Sequence, residues 1–403
     1  MSDLRLIGAD GGVTAVALAA APAFTKPTAP LTSRVAYAAA HVVPRTTAEN
    51  VQGAPADIDW DATLAFRHHV WSWGLGVADA MDTAQRNMGL DWAACTELIR
   101  RSAAEAATVG GALVVGVNTD HVTDASISLD AVIAAYLEQL EVAEDAGAGV
   151  VLMASRHLAR AATSAADYER VYREMLARAS EPVVLHWLGE AFDANLAGYF
   201  GSTDVAAASD TVIRIIEDNV AKVRGIKMSL LDAASEIAVR RRLPEGTTLF
   251  TGDDFNYVTL IEGEMSVEGE VSTSSTRHLH SDALLGAFAA VAPSASAAIQ
   301  ALDRDDVDEY RRILGPTEAL SQQVFAAPTQ YYKTGVAFLA WLNGHQSAFQ
   351  MVGGLHSAHS IPHLSQIVRL ANAAGALERP EFAAERWHGL LAANGIGAGG
   401  LGG

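Results

Sequence analysis

The sequence predicts an α/β protein, a closed (β/α)8 TIM barrel with an N-terminal β-hairpin and a C-terminal helical extension. Three observations carry this. Eight short apolar runs recur along the 403 residues, and each is followed by a segment with apolar residues at helical spacing. The runs are continuously apolar rather than alternating, as strands buried on both faces must be. Strand–helix repeats of this kind require parallel strands with right-handed crossovers, and eight of them close into a barrel. An open doubly wound sheet is the other arrangement that fits, but no G-x-G-x-x-G follows the first strand.

Along the chain, Leu4 to Leu18 places Asp10-Gly11-Gly12 between two short apolar runs, a hairpin signal. This hairpin is expected to close one end of the barrel. Residues 22–33 are rich in Pro, Thr and Ala and read as a linker, so 1–33 form an appendage. The barrel is assigned to 34–300. Its strand runs are Arg34–Val43, Gly74–Met81, Ala112–Val117, Gly149–Ala154, Pro182–Leu188, Arg224–Leu230 and Thr247–Thr251, with Gly286–Val291 as the eighth candidate. Residues 301–395 have helical periodicity and form the extension. The glycine-rich 396–403 reads as a flexible tail.

Composition narrows the function. Lys and Arg number 28 against 47 Asp and Glu, a formal charge of −19. Such a surface repels phosphate backbones and anionic membranes, so neither nucleic acid nor membrane is an expected partner. A small anionic substrate would need a local basic group. No apolar run reaches the roughly 18 residues of a membrane span, and the N-terminal segment lacks a secretory layout. The single cysteine, Cys95, fits a reducing compartment and reads as a core residue. A cytoplasmic location follows as the expectation.

Barrel chemistry sits where strands end. Lys227 is the sharpest residue there, inside V-R-G-I-K-M-S-L-L-D. Its neighbours Ile226 and Met228 must take the opposite face, which turns Lys227 into the barrel. Burial lowers the pKa of an amine, and a neutral amine can form a Schiff base with a carbonyl. The other reading is a lysine held by a buried carboxylate such as Asp253. His186 lies on the neighbouring strand in P-V-V-L-H-W-L-G-E and is a candidate proton carrier near neutral pH. Asp82, Thr83, Arg86, Glu190, Ser229, Asp253, Asp254 and Asn256 occupy strand ends and are candidate substrate-binding residues. A divalent metal is the alternative to a cofactor-free site. It would take His41, Asp82, His186, Glu190, Asp253 and His280, although no tight ligand spacing is present. His68, His69, His356 and His359 fall on apparent helices or loops and read as solvated. The polar segment 262–280 reads as a lid or as disorder.

These motifs resemble the dihydrodipicolinate synthase and N-acetylneuraminate lyase superfamily, and within it an uncharacterised dihydrodipicolinate synthase-like branch. The resemblance spans about residues 34 to 375. V-R-G-I-K is similar to the superfamily's G-I-K, whose lysine forms the Schiff base, which implies that role for Lys227. P-V-V-L-H stands where the superfamily has I-L-Y-N, so His186 replaces its proton-relaying tyrosine. T-G-D-D resembles S-G-D-D, and Gly286 through Y-R-R-I-L, then A-P-T-Q-Y-Y-K-T-G-V-A-F-L, resemble the last strand and C-terminal helices. The superfamily's G-T-T-G-E carboxylate loop is replaced by A-D-A-M-D-T-A-Q-R, which argues against pyruvate. The resemblance implies a cofactor-free lyase of aldolase or dehydratase type, acting on a small keto acid or a sugar-derived ketone, and a homodimer or homotetramer. A metal-dependent sugar isomerase or class II aldolase, and a non-catalytic sugar-binding barrel, are the alternatives.

Overall fold

The computed structural model describes residues 3–264, 279–397 and 400–401. The expected hairpin forms: β1 (Leu4–Ile7) pairs antiparallel with β2 (Val13–Val16). Gly11 turns the chain with φ 80°, and Asp10 Oδ1 accepts from the Gly12 N–H at 2.9 Å. The hairpin does not close a barrel end, however. Its backbone bonds to Ser365 and Trp387 of the C-terminal helices, so it packs on the extension.

The barrel strands are β3 (Ala36–Ala39), β4 (Gly76–Asp79), β5 (Leu113–Val117), β6 (Gly149–Leu152), β7 (Val183–Leu188), β8 (Val223–Ser229), β9 (Thr248–Thr251) and β10 (Asp282–Leu285). They are parallel, run in chain order, and close where β10 pairs with β3. Six fall inside the expected runs, and β8 starts one residue before its run, at Val223. The eighth is Asp282–Leu285, and the expected run Gly286–Val291 instead enters a short helix. The apolar stretch Ala283–Val291 is long enough for one strand and one helical turn, and its alanines permit either.

The helices around and after the barrel are α1 (Trp60–Ser72), α2 (Trp92–Val109), α3 (Leu129–Asp145), α4 (Arg156–Ala161), α5 (Ala165–Arg178), α6 (Val205–Glu217), α7 (Ala233–Arg240), α8 (Tyr257–Glu262), α9 (Ala287–Ala290), α10 (Ala292–Leu302), α11 (Val307–Val324), α12 (Tyr332–Leu342), α13 (Ile361–Ala373) and α14 (Pro380–Ala393). Many begin on a side-chain cap: Asp59, Asp91, Ser128, Ser155, Asp204 and Asp232 each accept from a first-turn N–H. The barrel interior is filled by Tyr37, Ala39, Ala78, Val114, Val151, Met153, Val184, Phe250 and Leu284, with Met81 above them. A second apolar layer joins the strands to α2, α3, α5 and α6. A third joins β3, β4 and β10 to the hairpin and the extension. The expected flexible tail starts in a short antiparallel pair, β11 (Ile396–Gly397) with β12 (Gly400–Leu401). Most of the expected lid, 265–278, lies outside the described residues. No helix among the described residues is long and apolar enough to cross a membrane.

Candidate active site

Strand parity sets the site. Ile226 and Met228 pack outward in the layer beneath the helices, so Gly225, Lys227 and Ser229 face inward. Room for the lysine comes from β9. A Cβ on Gly252 would stand 2.7 Å from Lys227 Cε and 2.2 Å from Ser229 Oγ, so only glycine fits beside the side chain. Lys227 reaches a narrow pocket of about 10 Å³, room for about one water, with Asp82, Thr83, Ser229, Asp254, Phe192 and Tyr332 in its wall. Phe192 and Phe325 pack on the Tyr332 ring, the latter stacked at 4.3 Å, and make the roof apolar.

The amine is buried and makes no hydrogen bond or ion pair among the described residues. Burial pushes its pKa below the ordinary lysine value, and the Asp82 and Asp254 carboxylates oppose that shift. The acids that act on it are therefore Asp82 and Asp254, and Asp253 takes no part. Asp254 is pushed up to about 7 by burial, although Lys227 and the Ala287 N–H at 2.9 Å both favour its carboxylate. Burial holds the Tyr332 phenol well above its usual value. It keeps its proton at neutral pH and shares a 2.8 Å hydrogen bond with Thr83 Oγ1. The pocket thus joins a poised amine, a carboxyl that titrates near neutrality and a phenol–hydroxyl pair.

Of the other expected residues, His186 pairs with Lys227 in register, and its Nε2 lies 3.4 Å from Ser229 Oγ. Full burial and the nearby Lys227 push its pKa far down, so the ring is neutral. It reaches the pocket only through Ser229. Asp253 and Asn256 shape the turn after β9. Asp253 Oδ1 accepts from the Phe255 and Asn256 N–H groups at 2.9 and 3.1 Å, and its Oδ2 from the Asn256 amide at 2.8 Å. Arg86 is not free to grip a substrate carboxylate. Its guanidinium is buried on Asp120, Gln139 and the carbonyls of Ala80 and Gly116. Glu190 is exposed on a separate groove with Asp232.

The alternative metal set is not assembled. His41 bonds Gln346 Oε1 at 3.0 Å, Asp253 caps its turn and Glu190 faces away. Among the described residues, no three of His41, Asp82, His186, Glu190, Asp253 and His280 lie close enough to share an ion. The scattered strand ends point in different directions, which spacing along the chain does not show.

Several residues escaped the sequence reading. Tyr332 and Lys333 come from the start of α12, where a helical pattern hides their approach to the barrel mouth. Lys333 is buried and pushed down to about 8, with Asp82, Arg156 and Asp193 acting on it. A wider cleft of about 270 Å³ meets the lysine pocket at Asp82 and Leu188, and Arg156 and Arg160 line it. Arg156 pairs with Asp193 there. Asp82, Asp120 and Asp193 line the same cleft, so the two arginines offset its acids rather than leave it positive.

A family model described as protein of unknown function (DUF993) matches residues 4–396. A search of curated protein sequences returns no match. Solved structures are similar in fold at low identity. The dihydrodipicolinate synthase from Aquifex aeolicus matches at 11% identity and TM-score 0.62, covering 86% of this chain and 99% of that one. The 4-hydroxy-tetrahydrodipicolinate synthase from Methylacidiphilum fumariolicum SolV matches at 15% and 0.63, covering 87% and 99%. The enzyme from Cyanidioschyzon merolae with lysine bound matches at 15% and 0.61, covering 86% and 99%. The likeness shows the barrel and its C-terminal helices.

Proposed function

The chain belongs to the DUF993 family, and from the buried amine at the mouth of its barrel we propose that it is a Schiff-base-forming lyase of aldolase or dehydratase type. The observation that supports this most is Lys227: an inward, desolvated amine at a strand end, unpaired among the described residues, with Asp254 and Tyr332 beside it. The substrate class is a small keto acid or a sugar-derived ketone.

In this reading the Lys227 lone pair attacks the substrate carbonyl carbon, and the resulting carbinolamine loses water to give an imine. The protonated imine draws in the electrons of the adjacent carbon–carbon bond as the β-hydroxyl loses its proton, or those of an α carbon–hydrogen bond, after which the enamine expels a protonated β-hydroxyl as water. Tyr332 and Thr83 pass the proton that water loss requires. Asp254, titrating near neutrality, takes and returns the proton of the cleavage step. Asp82 and Ser229 orient hydroxyls, and His186 positions Ser229. Arg160, bonded only to the Ala125 carbonyl among the described residues, offers its guanidinium to a substrate carboxylate at the cleft. The apolar roof excludes water from the imine.

The test is borohydride reduction during turnover of a panel of 2-oxo acids and hydroxyketones, read by intact mass. The expected result is a stable adduct on the wild-type chain and none on Lys227→Ala. A substrate that is turned over yet leaves no adduct would eliminate the imine route. Saturable binding without turnover would favour a non-catalytic barrel.

A further inference from the structure

Away from the barrel mouth, three segments distant in sequence converge on one cluster. His69 lies in the last turn of α1, which leads into β4 on the flank of the barrel. His345 follows α12, its N–H bonded to the Ala340 carbonyl. Glu378 precedes α14, its N–H donating to Asn343 Oδ1 at 2.9 Å. We infer that His69, His345 and Glu378 form a zinc-class divalent metal site that braces the C-terminal extension against the barrel.

The geometry carries this. His345 Nε2 lies 2.7 Å and His69 Nε2 3.5 Å from the same carboxylate oxygen, Glu378 Oε1. One donor atom from each residue falls within 4.8 Å of the other two. Ligands held at roughly 2.0–2.1 Å around a tetrahedral zinc stand about 3.3 Å apart, so small side-chain shifts suffice. Two imidazoles with one carboxylate are a zinc-type donor set, with water left for the fourth position. The side chains are only 16%, 18% and 27% exposed, and Phe66 walls both rings. A plain His345–Glu378 hydrogen bond would account for two of the residues. It leaves unexplained a second imidazole turned on the same oxygen. Exposed Lys26 is the competing positive group, acting on both His69 and Glu378 without pairing to either among the described residues.

The consequence reaches the active site. The helix that ends beside His345 begins at Tyr332, so the brace holds the element that supplies the phenol. A chelator can therefore lower activity without any metal at the barrel mouth, and chelator sensitivity alone does not identify a metal mechanism.

The experiment strips the full chain with chelator and dialyses it against zinc, with metal counted by mass spectrometry. Wild type is expected to hold one zinc per chain and to melt at higher temperature with zinc than without. His69→Ala and Glu378→Gln are expected to weaken binding beyond the roughly 10–100-fold that loss of an outer-shell partner costs. His363→Ala, which alters the stacked His359–His363 pair elsewhere, should bind as wild type does. Should the ligand variants fail to fold, cobalt on the wild-type chain replaces them, and intense tetrahedral visible bands are expected. Wild type that binds no zinc, variants that bind as tightly as wild type, or only the weak bands of octahedral cobalt would overturn the site.

Discussion

At the scale of residues, Lys227 was legible because a strand's two-residue period forces it inward between Ile226 and Met228. Its partners were less so. Asp254 and Thr83 could be placed at strand ends, but not the direction of their side chains. Arg86 and Asp253 looked equally available and are consumed by their own local networks. Tyr332 carried no signal, because a tyrosine in an apolar helix reads as core. If the phenol passes the proton, Tyr332→Phe should lower kcat by roughly 10²–10⁴-fold, the usual weight of a proton-transfer group, with little change in melting temperature. Steady-state kinetics beside a thermal melt checks this. A loss of kcat matched by a loss of fold would assign Tyr332 to packing.

Elements were read from continuous apolar runs, and seven barrel strands matched. The eighth was displaced because Ala283–Val291 offers no polar break where strand becomes helix. Two predictions belong here. Gly252→Ala, on the turn leaving β9, drives a Cβ into Lys227 and Ser229, so it should suppress imine trapping on Lys227 well beyond any change in stability. Trapping equal to wild type would show that the lysine has room to move. The second concerns α7, whose Glu236 accepts from Ser281 at 2.8 Å and Thr251 at 3.0 Å across β10 and β9. Burial pushes this carboxyl from 4.5 up to about 8. The folded state holds a proton that the unfolded chain has released, so stability is lost as pH rises from about 4.5 to about 8. Each unit of displacement is worth about 1.4 kcal/mol. Glu236→Gln should flatten that slope and be more stable than wild type above pH 8, as urea unfolding at several pH values would show. An unchanged slope would place the titration elsewhere.

At the scale of the whole molecule, the extension completes the barrel rather than decorating it. Its helices bury the hairpin, roof the lysine pocket and deliver Tyr332. The sequence announced its helices but not where they dock, since docking depends on side chains from both ends of the chain. Trp387 is the clearest of these: fully buried, with its indole N–H bonded to the Arg5 carbonyl at 2.6 Å. Trp387→Ala should cost about 3–5 kcal/mol through the cavity it leaves, measured by denaturant unfolding. A cost below about 1 kcal/mol would mean that the hairpin seam is not part of the folded core. The cluster of His69, His345 and Glu378 was hidden for the same reason: His69 alone read as a solvated side chain, and nothing in the spacing joins it to His345 and Glu378.

The whole account turns on the protonation of one amine. A direct measure is the NMR titration of the Lys227 Nζ signal, assigned by its loss in Lys227→Arg. The account predicts a midpoint clearly below 10.5, the ordinary lysine value. A midpoint at or above 10.5 would mean that Asp82 and Asp254 hold a permanent ammonium ion, and the nucleophile would be gone.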